Sequence, residues 1–503
     1  MTEKSMFQKF RLYFLLIFLA ELLSFGGFLL PEFRQTAFFV TVLLVLLLSL
    51  QKLEYGLLIL LGELFIGSKG YLFYFEQGEL VISIRIALFL VIMSVWLAKI
   101  TVLWNREGYR FLLAKLALPF GRYYGLLGVA IGWGIVNGYF RGNEFSNIFF
   151  DANSWIYWLM IFPLAYVVNE REENGGEFWR ELLAVFSAAV IWLSAKTLGL
   201  LFAFSHSLIV ALYELYPWIR VTGAGEITVM ESGFVRIFFQ SQIYVLIAMT
   251  TAAAAAVYFK LLRDKKKLLY CYIVILLSAS VAIISFSRSF WIGLAAGLLV
   301  YWFISLLVDK KNWQAIFLSM GFTLSAAILS IALVFGIVKF PYPRPTAAFD
   351  LSLLSERAGK ISGEAGVSSR WNLLPPLLRE IKQAPLLGKG FGATVTYKTQ
   401  DPRVLEQNPS GEYTTYAFEW GYLDIWLKLG LIGLLVYIAL LGKIFIEGIK
   451  TSYKLLCISL LSGLVMIMVT SFFSPYLNHP LGIGYVILTS LILGQKKKPP
   501  FLP

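Results

Sequence analysis

Uninterrupted apolar runs of about twenty residues recur from one end of this chain to the other, and nothing else in the sequence constrains its fold as strongly. A bilayer core is about 30 Å thick, and a helix crosses it with roughly 17–25 residues. Backbone polar groups inside hydrocarbon must bond within the protein, and continuous rather than alternating runs satisfy that as helices. Spans fall near 10–30, 36–51, 53–67, 80–98, 121–137, 154–169, 181–204, 234–259, 268–286, 288–308, 314–338, 417–442, 453–473 and 480–494. Residues 36–51 and 53–67 are short and read either as two spans or as one re-entrant pair, which gives about 12–14 transmembrane helices. The fold class is an all-α polytopic membrane protein. Composition agrees: 58% of residues are hydrophobic and 15% charged, against about 25% charged in soluble domains. The first run has basic flanks, but it has spanning length, contains Glu21 and lacks an A-x-A cleavage site, so it reads as a helix of the protein.

The net charge of +13 suggests a polyanionic partner, yet the placement of the basic residues excludes nucleic acid. They cluster in short loops on alternate sides of the spans, as topology signals do. That pattern predicts cytoplasmic termini and puts the one long loop, 339–416, on the extracytoplasmic side. The chain then divides into a bundle of about eleven spans over 1–338, the loop 339–416, and three further spans with a basic cytoplasmic tail over 417–503. Within the loop, "DLSLLSERAGKI" predicts a helix capped by Asp350. "PPLLREIKQA" predicts a second helix that starts at its prolines. "PLLGKGFGATVTY" predicts a turn and a short strand. "LIVALYELYPWI", between 205 and 233, is amphipathic and aromatic and predicts an interfacial segment. Cys271 and Cys457 lie inside apolar runs and read as packing residues. No metal-ligand spacing appears, and no cofactor is expected.

Ionisable groups at or within the membrane are costly, which makes them informative. Arg236 opens the eighth predicted span. Arg288 interrupts the apolar hairpin "SFSRSFW". Arg370 starts the loop segment "SRWNLLPPLLREIKQAPLLGKGFG". Guanidinium forks match phosphate oxygens two at a time, so the three suit a diphosphate clamp; the ordinary alternative is snorkelling or pairing with a nearby carboxylate. Glu419 stands where the loop returns to the membrane. It suits a general base, or else an interfacial carboxylate paired with Lys428 or Arg370. Asp424 is a second candidate. Gly388, Gly390 and Gly392 in "GKGFG" offer backbone N–H groups to a phosphate, or form a plain turn. Trp371, Tyr416 and Tyr422 are candidate substrate contacts. His206 and His479 read as isolated interfacial residues.

The ordered set "SGFVRIFFQSQ", "SFSRSFWIGLAAG", "SRWNLLPPLLREIKQAPLLGKGFG" and "EWGYLDIWLKLGLIGLL" resembles the O-antigen ligase and polymerase superfamily of GT-C-type integral-membrane glycosyltransferases. The third stretch is similar to that family's R-x-x-x-W/L…P-L-x-G-x-G run, and the fourth to its H-N-x-Y-L…G-x-x-G helix. Glu419 stands where the family's histidine base falls. The resemblance covers roughly 230–440. It implies a GT-C-like fold in a bacterial inner membrane and a polyprenyl-diphosphate-linked glycan as donor. It further implies an acceptor hydroxyl on a glycan, lipid or protein, and inverting transfer without a metal. Arg236, Arg288 and Arg370 then hold the diphosphate and Glu419 takes the proton. Two alternatives stand beside ligation: polymerisation of repeat units with the same donor, and flipping of lipid-linked oligosaccharides by a transporter.

Overall fold

The computed structural model describes residues 3–78, 80–108, 115–170, 176–230, 233–347, 349–350, 352–353, 365–400, 402–451 and 454–494. The N-terminal part contains α1 (Glu3–Leu29), α2 (Pro31–Gln51), α3 (Leu53–Ile66), the hairpin β1 (Tyr74–Gln77) and β2 (Leu80–Ser83), and α4 (Ile84–Glu107). After these come α5 (Gly121–Phe140), α6 (Phe145–Ile156), α7 (Ile161–Glu170), α8 (Gly176–Ser205) and the short α9 (Tyr216–Val221). A second hairpin, β3 (Glu226–Val229) and β4 (Val235–Phe238), precedes α10 (Gln242–Leu261), α11 (Lys265–Ser285), α12 (Arg288–Val308) and α13 (Trp313–Val338). The large loop holds α14 (Ala365–Gln383), β5 (Val395–Lys398), α15 (Pro402–Gln407) and β6 (Glu412–Thr415). The chain then runs through α16 (Gly421–Lys450), α17 (Lys454–Thr470) and α18 (Pro480–Leu493).

Among the described residues, 10 helices are long and apolar enough to cross a bilayer. Shorter apolar helices lie at Leu455–Thr470 and Pro480–Leu493. This is a multi-pass, all-α membrane protein with three small two-stranded antiparallel sheets among the described residues. Every span read from hydropathy falls on a helix, with corrections at the edges. The helix at 36–51 extends back to Pro31 and reaches 21 residues, so it is not half of a re-entrant pair. Only Lys52, in an extended conformation, separates it from α3.

The eighth span does not begin at Arg236. Val235 and Ile237 are buried while Arg236 and Phe238 are half-buried, the period of a strand. Residues 235–238 pair with 226–229, with Thr228 opposite Arg236. Likewise Pro375 and Pro376 lie inside α14 rather than at its start. Leu373, Leu377 and Ile381 form an i, i+4, i+8 stripe packed on Val395, Phe418 and Leu427, and burial of that stripe carries the helix through the prolines. The strand expected near 395 is present and pairs with 412–415. The helix expected over 350–361 lies largely outside the described residues, as does the basic tail at 496–498.

Two packing features shape the end of the bundle that carries the large loop. Gly293 and Gly297 of α12 press on α17: a Cβ at Gly293 would stand 2.2 Å from Thr470 Oγ1, and one at Gly297 would stand 3.0 Å from the Ser462 carbonyl. This G-x-x-x-G contact fixes the Arg288 hairpin beside segment 471–479. The second feature is a break in α16 at Gly430, whose φ of 73° and ψ of 176° are not helical. The loop 385–390 fills the break. Lys389 N donates to the Leu427 carbonyl at 2.6 Å and Gly390 N to that of Lys428 at 3.1 Å. On the far side, Leu431 N donates to the Pro385 carbonyl at 2.9 Å and Ile432 N to that of Leu386 at 3.3 Å. The groups orphaned by breaking a membrane helix are thus satisfied by protein.

Candidate functional site

At the end of the bundle where α4, α6, α16 and α18 meet segments 67–73 and 471–479, the chain forms a cavity of about 480 Å³ with several charged residues in its wall. Lys69, Arg85, Asp151, Glu419, Asp424 and Lys428 supply its charged lining. Cross-links hold this end together. Ser68 Oγ meets Ser241 Oγ at 3.0 Å, the Tyr476 hydroxyl donates to the Gln240 carbonyl at 2.9 Å, and Gly392 N donates to Asp151 Oδ2 at 2.8 Å.

Most of the charge in the cavity is compensated. The Arg85 guanidinium reaches both oxygens of Glu63, at 2.8 and 3.0 Å, and its third contact is the Ser68 carbonyl at 2.8 Å. Both side chains are buried. Lys428 lies 2.6 Å from Asp151 and 2.6 Å from Asp424, and Asn478 donates to Asp424. Close pairing of this kind is the form in which a membrane protein can carry buried charge. Lys69 is exposed, and among the described residues no carboxylate forms an ion pair with it.

The predicted site residues fall into two neighbouring groups. Arg370 donates to Glu419, and Trp420 Nε1 donates to the Arg370 carbonyl at 3.0 Å, which ties α14 to the start of α16. Glu419 therefore has Arg370 as its partner, while Lys428 is taken by the two aspartates. In the second group, Arg236 Nε donates to the Ser285 carbonyl at 2.9 Å and its guanidinium lies 5.0 Å from the Phe238 ring. That carbonyl belongs to the last residue of α11, beside the turn that presents Arg288 at the start of α12. The groups adjoin: Ser289 Oγ meets Ser474 Oγ at 3.2 Å, Phe473 packs on Trp420 with ring centres 5.8 Å apart, and Pro475 lines the cavity with Glu419. Glu419 faces the cavity; Arg236, Arg288 and Arg370 are not part of its wall.

The glycine loop is occupied by the protein itself. Gly388 N donates to the Ala384 carbonyl, Gly390 N to that of Lys428 and Gly392 N to Asp151. All three glycines have φ between 74° and 79°, and a Cβ at Gly390 would stand 2.1 Å from Gly138 N. They are glycines because the loop threads between α5 and α16. Trp371 is half exposed and meets Trp420 edge-on at 5.5 Å. Tyr422 donates to the Met468 carbonyl at 2.9 Å and its ring packs on Phe472. Tyr416 lines the cavity; burial, with the negative charge of Asp151 adding to it, raises its phenol above the ordinary value. His206 is buried between the carbonyls of Phe202 and Phe340.

Lys69, Glu63, Arg85 and Asp151 are absent from the sequence-based candidates, and His479 is among them only as an isolated interfacial residue. The signal is present for two of them: Glu63 and Arg85 fall inside predicted spans, where a charge calls for a partner. His479 lines the cavity. Its imidazole is pushed down to about 3, first by burial and then by the charges of Arg85 and Lys69. With Nδ1 accepting from Leu481 N at 3.3 Å, the neutral ring carries its proton on Nε2.

Residues 273–438 match the family model described as O-Antigen ligase. The match runs from α11 through the Arg288 turn and the large loop to the middle of α16. No curated protein matches the chain.

Proposed function

We propose, from the premise that residues 273–438 belong to the O-antigen ligase family, that this membrane protein transfers a glycan from a polyprenyl-diphosphate carrier to an acceptor hydroxyl. The reaction takes place at the extracytoplasmic face of a bacterial inner membrane. The observation that carries the reading is Glu419: it lines a cavity with charged walls at the point where the large loop returns to the membrane, and its carboxylate pairs with Arg370.

The acceptor oxygen attacks the anomeric carbon of the donor sugar. The bond from that carbon to the diphosphate oxygen breaks, and its electron pair leaves with the polyprenyl diphosphate. The acceptor proton passes to Glu419, and configuration inverts. Charge building on the leaving group is met by Arg370, Arg288 and Arg236. In the resting arrangement Arg370 is engaged by Glu419. A diphosphate that takes up that guanidinium frees the carboxylate to accept a proton, so donor binding and base activation are coupled.

The test is transfer by the purified protein in vesicles supplied with a lipid-linked glycan and candidate acceptors. Glu419→Gln is expected to lower turnover roughly 10²–10⁴-fold with donor binding retained, and Arg370→Ala to weaken both. Wild-type turnover in Glu419→Gln removes the base from the scheme. A single addition to an acceptor marks ligation, and a ladder of lengthening glycans marks polymerisation. Movement of the lipid-linked glycan across the bilayer without joining makes the protein a transporter.

A further inference from the structure

Glu419 stands between two surroundings. Its carboxylate pairs with Arg370, which is not part of the cavity wall, and the residue itself lines the cavity. Arg236 and Arg288, the other arginines assigned to the diphosphate, are not part of that wall either. Inverting displacement brings the nucleophile to the face of the anomeric carbon opposite the leaving group. With the leaving group on the arginine side, the cavity is the side from which the acceptor arrives. Its volume of about 480 Å³ falls within the range of about 300–1,000 Å³ for small-ligand sites.

Helix α6 supplies much of the chemistry of this cavity. Phe150, Asn153 and Ser154 are spaced i, i+3, i+4, share one face of the helix and all line the cavity. Phe150 is half exposed. Asp151 fixes the helix in place: its Oδ1 lies 2.6 Å from Lys428 Nζ and its Oδ2 accepts from Gly392 N at 2.8 Å. Two phenols join this face, Tyr71 from loop 67–73 and Tyr416 from the segment after β6. Among the described residues, the side chains of Tyr71, Asn153 and Tyr416 make no hydrogen bond. The charges of the wall balance, with Lys69, Arg85 and Lys428 against Asp151, Glu419 and Asp424. An exposed aromatic face beside unengaged amide and phenol groups, with no excess of either charge, suits an uncharged ligand that has an apolar ring face and many hydroxyls. A hydrocarbon chain would bury those polar groups without partners.

We propose that this face of α6, with Tyr71 and Tyr416, is the acceptor subsite and that the acceptor is an uncharged saccharide. Phe150 and Tyr416 take the apolar face of a pyranose ring, Asn153 and Tyr71 bind its hydroxyls, and one further hydroxyl is turned toward Glu419. This rests on the reading of Glu419 as the base. It selects a saccharide from among the glycan, lipid and protein acceptors left open above, and it puts most of that choice in the N-terminal half, outside residues 273–438 that match the family.

The experiment is saturation-transfer NMR on the full chain in nanodiscs. The probes are the trisaccharides of glucose, of N-acetylglucosamine and of galacturonic acid, and a serine-containing peptide. At least one neutral trisaccharide is expected to bind saturably. Phe150→Ala and Asn153→Ala are each expected to weaken that binding roughly tenfold, with Phe150→Trp keeping most of it. In the transfer assay the same alanine variants are expected to raise the acceptor KM by a similar factor and to leave the donor KM unchanged, a split that a general loss of structure does not produce. Unchanged affinity in both alanine variants overturns the subsite, as does absence of binding by either neutral trisaccharide. Tighter binding of the galacturonate overturns the assignment of an uncharged ligand, and preference for the peptide makes the acceptor a protein instead. Saccharide binding with no glycan transfer retains the subsite and sinks the reaction; transfer with unaltered acceptor KM in both alanine variants does the reverse.

Discussion

Gly430→Ala attacks the joint on which the cavity depends. At φ 73° and ψ 176°, residue 430 occupies a region that only glycine visits at low cost. A Cβ there would stand 2.1 Å from the Leu386 carbonyl oxygen and 2.6 Å from Gly388 N. These atoms belong to the loop that fills the helix break, so alanine must either push the loop out or close the break. Expelling the loop forfeits the four backbone bonds that join 385–390 to 427–432, each worth about 0.5–1.5 kcal/mol net. The sum is about 2–6 kcal/mol, before counting the backbone strain of about 1–3 kcal/mol. The effect reaches the cavity as well, since Gly392 N on the same loop donates to Asp151 and Asp151 holds Lys428. The assay is thermal unfolding of the purified protein in detergent, with limited proteolysis near Lys389 as a second readout. Gly430→Ala is expected to unfold at clearly lower temperature and to expose the loop to cleavage. An unchanged transition together with unchanged protease resistance would refute the claim that this break is held by the loop.

The buried charges lead to two further outcomes. Lys428→Met leaves Asp151 and Asp424 facing each other without their cation and should destabilise by about 3–5 kcal/mol; adding Asp424→Asn should recover part of the loss, read in the same unfolding assay, and no recovery would argue against a repulsion between the carboxylates. His479 binds a proton far less readily folded, at about 3, than at its ordinary 6.5. Its stabilising contribution is therefore full above about 6.5 and is lost as pH falls from there toward 3. His479→Asn, which can still accept from Leu481 N, should make thermal stability less sensitive to acid over that window; identical pH profiles would contradict the burial of a neutral ring.

Hydropathy alone makes the class of fold legible, because a run such as 314–338 has no stable state in water and only a helical one in lipid. Charge in predicted spans gives a partial reading of the site. Glu419 stands out by its position at the membrane return and Arg370 as a cation at the start of a loop helix, and the structure brings the two into contact. Arg236 stands out too, but as the start of a helix, since its period-2 neighbours form only four residues of strand. Such a stretch is too short for its alternation to be heard against the twenty apolar residues after it.

The environment each segment requires is written in its own residues: hydrocarbon for the spans, water and backbone partners for the polar loop, a counter-ion for each stranded charge. Which counter-ion is chosen is settled only by tertiary packing. Arg85 meets Glu63 across 22 positions and Lys428 meets Asp151 across 277. "GKGFG" reads locally as a loose turn, yet it closes a helix broken some forty residues later. The physical reason is that a requirement for a partner is local to a residue, while the identity of that partner depends on which helices lie side by side.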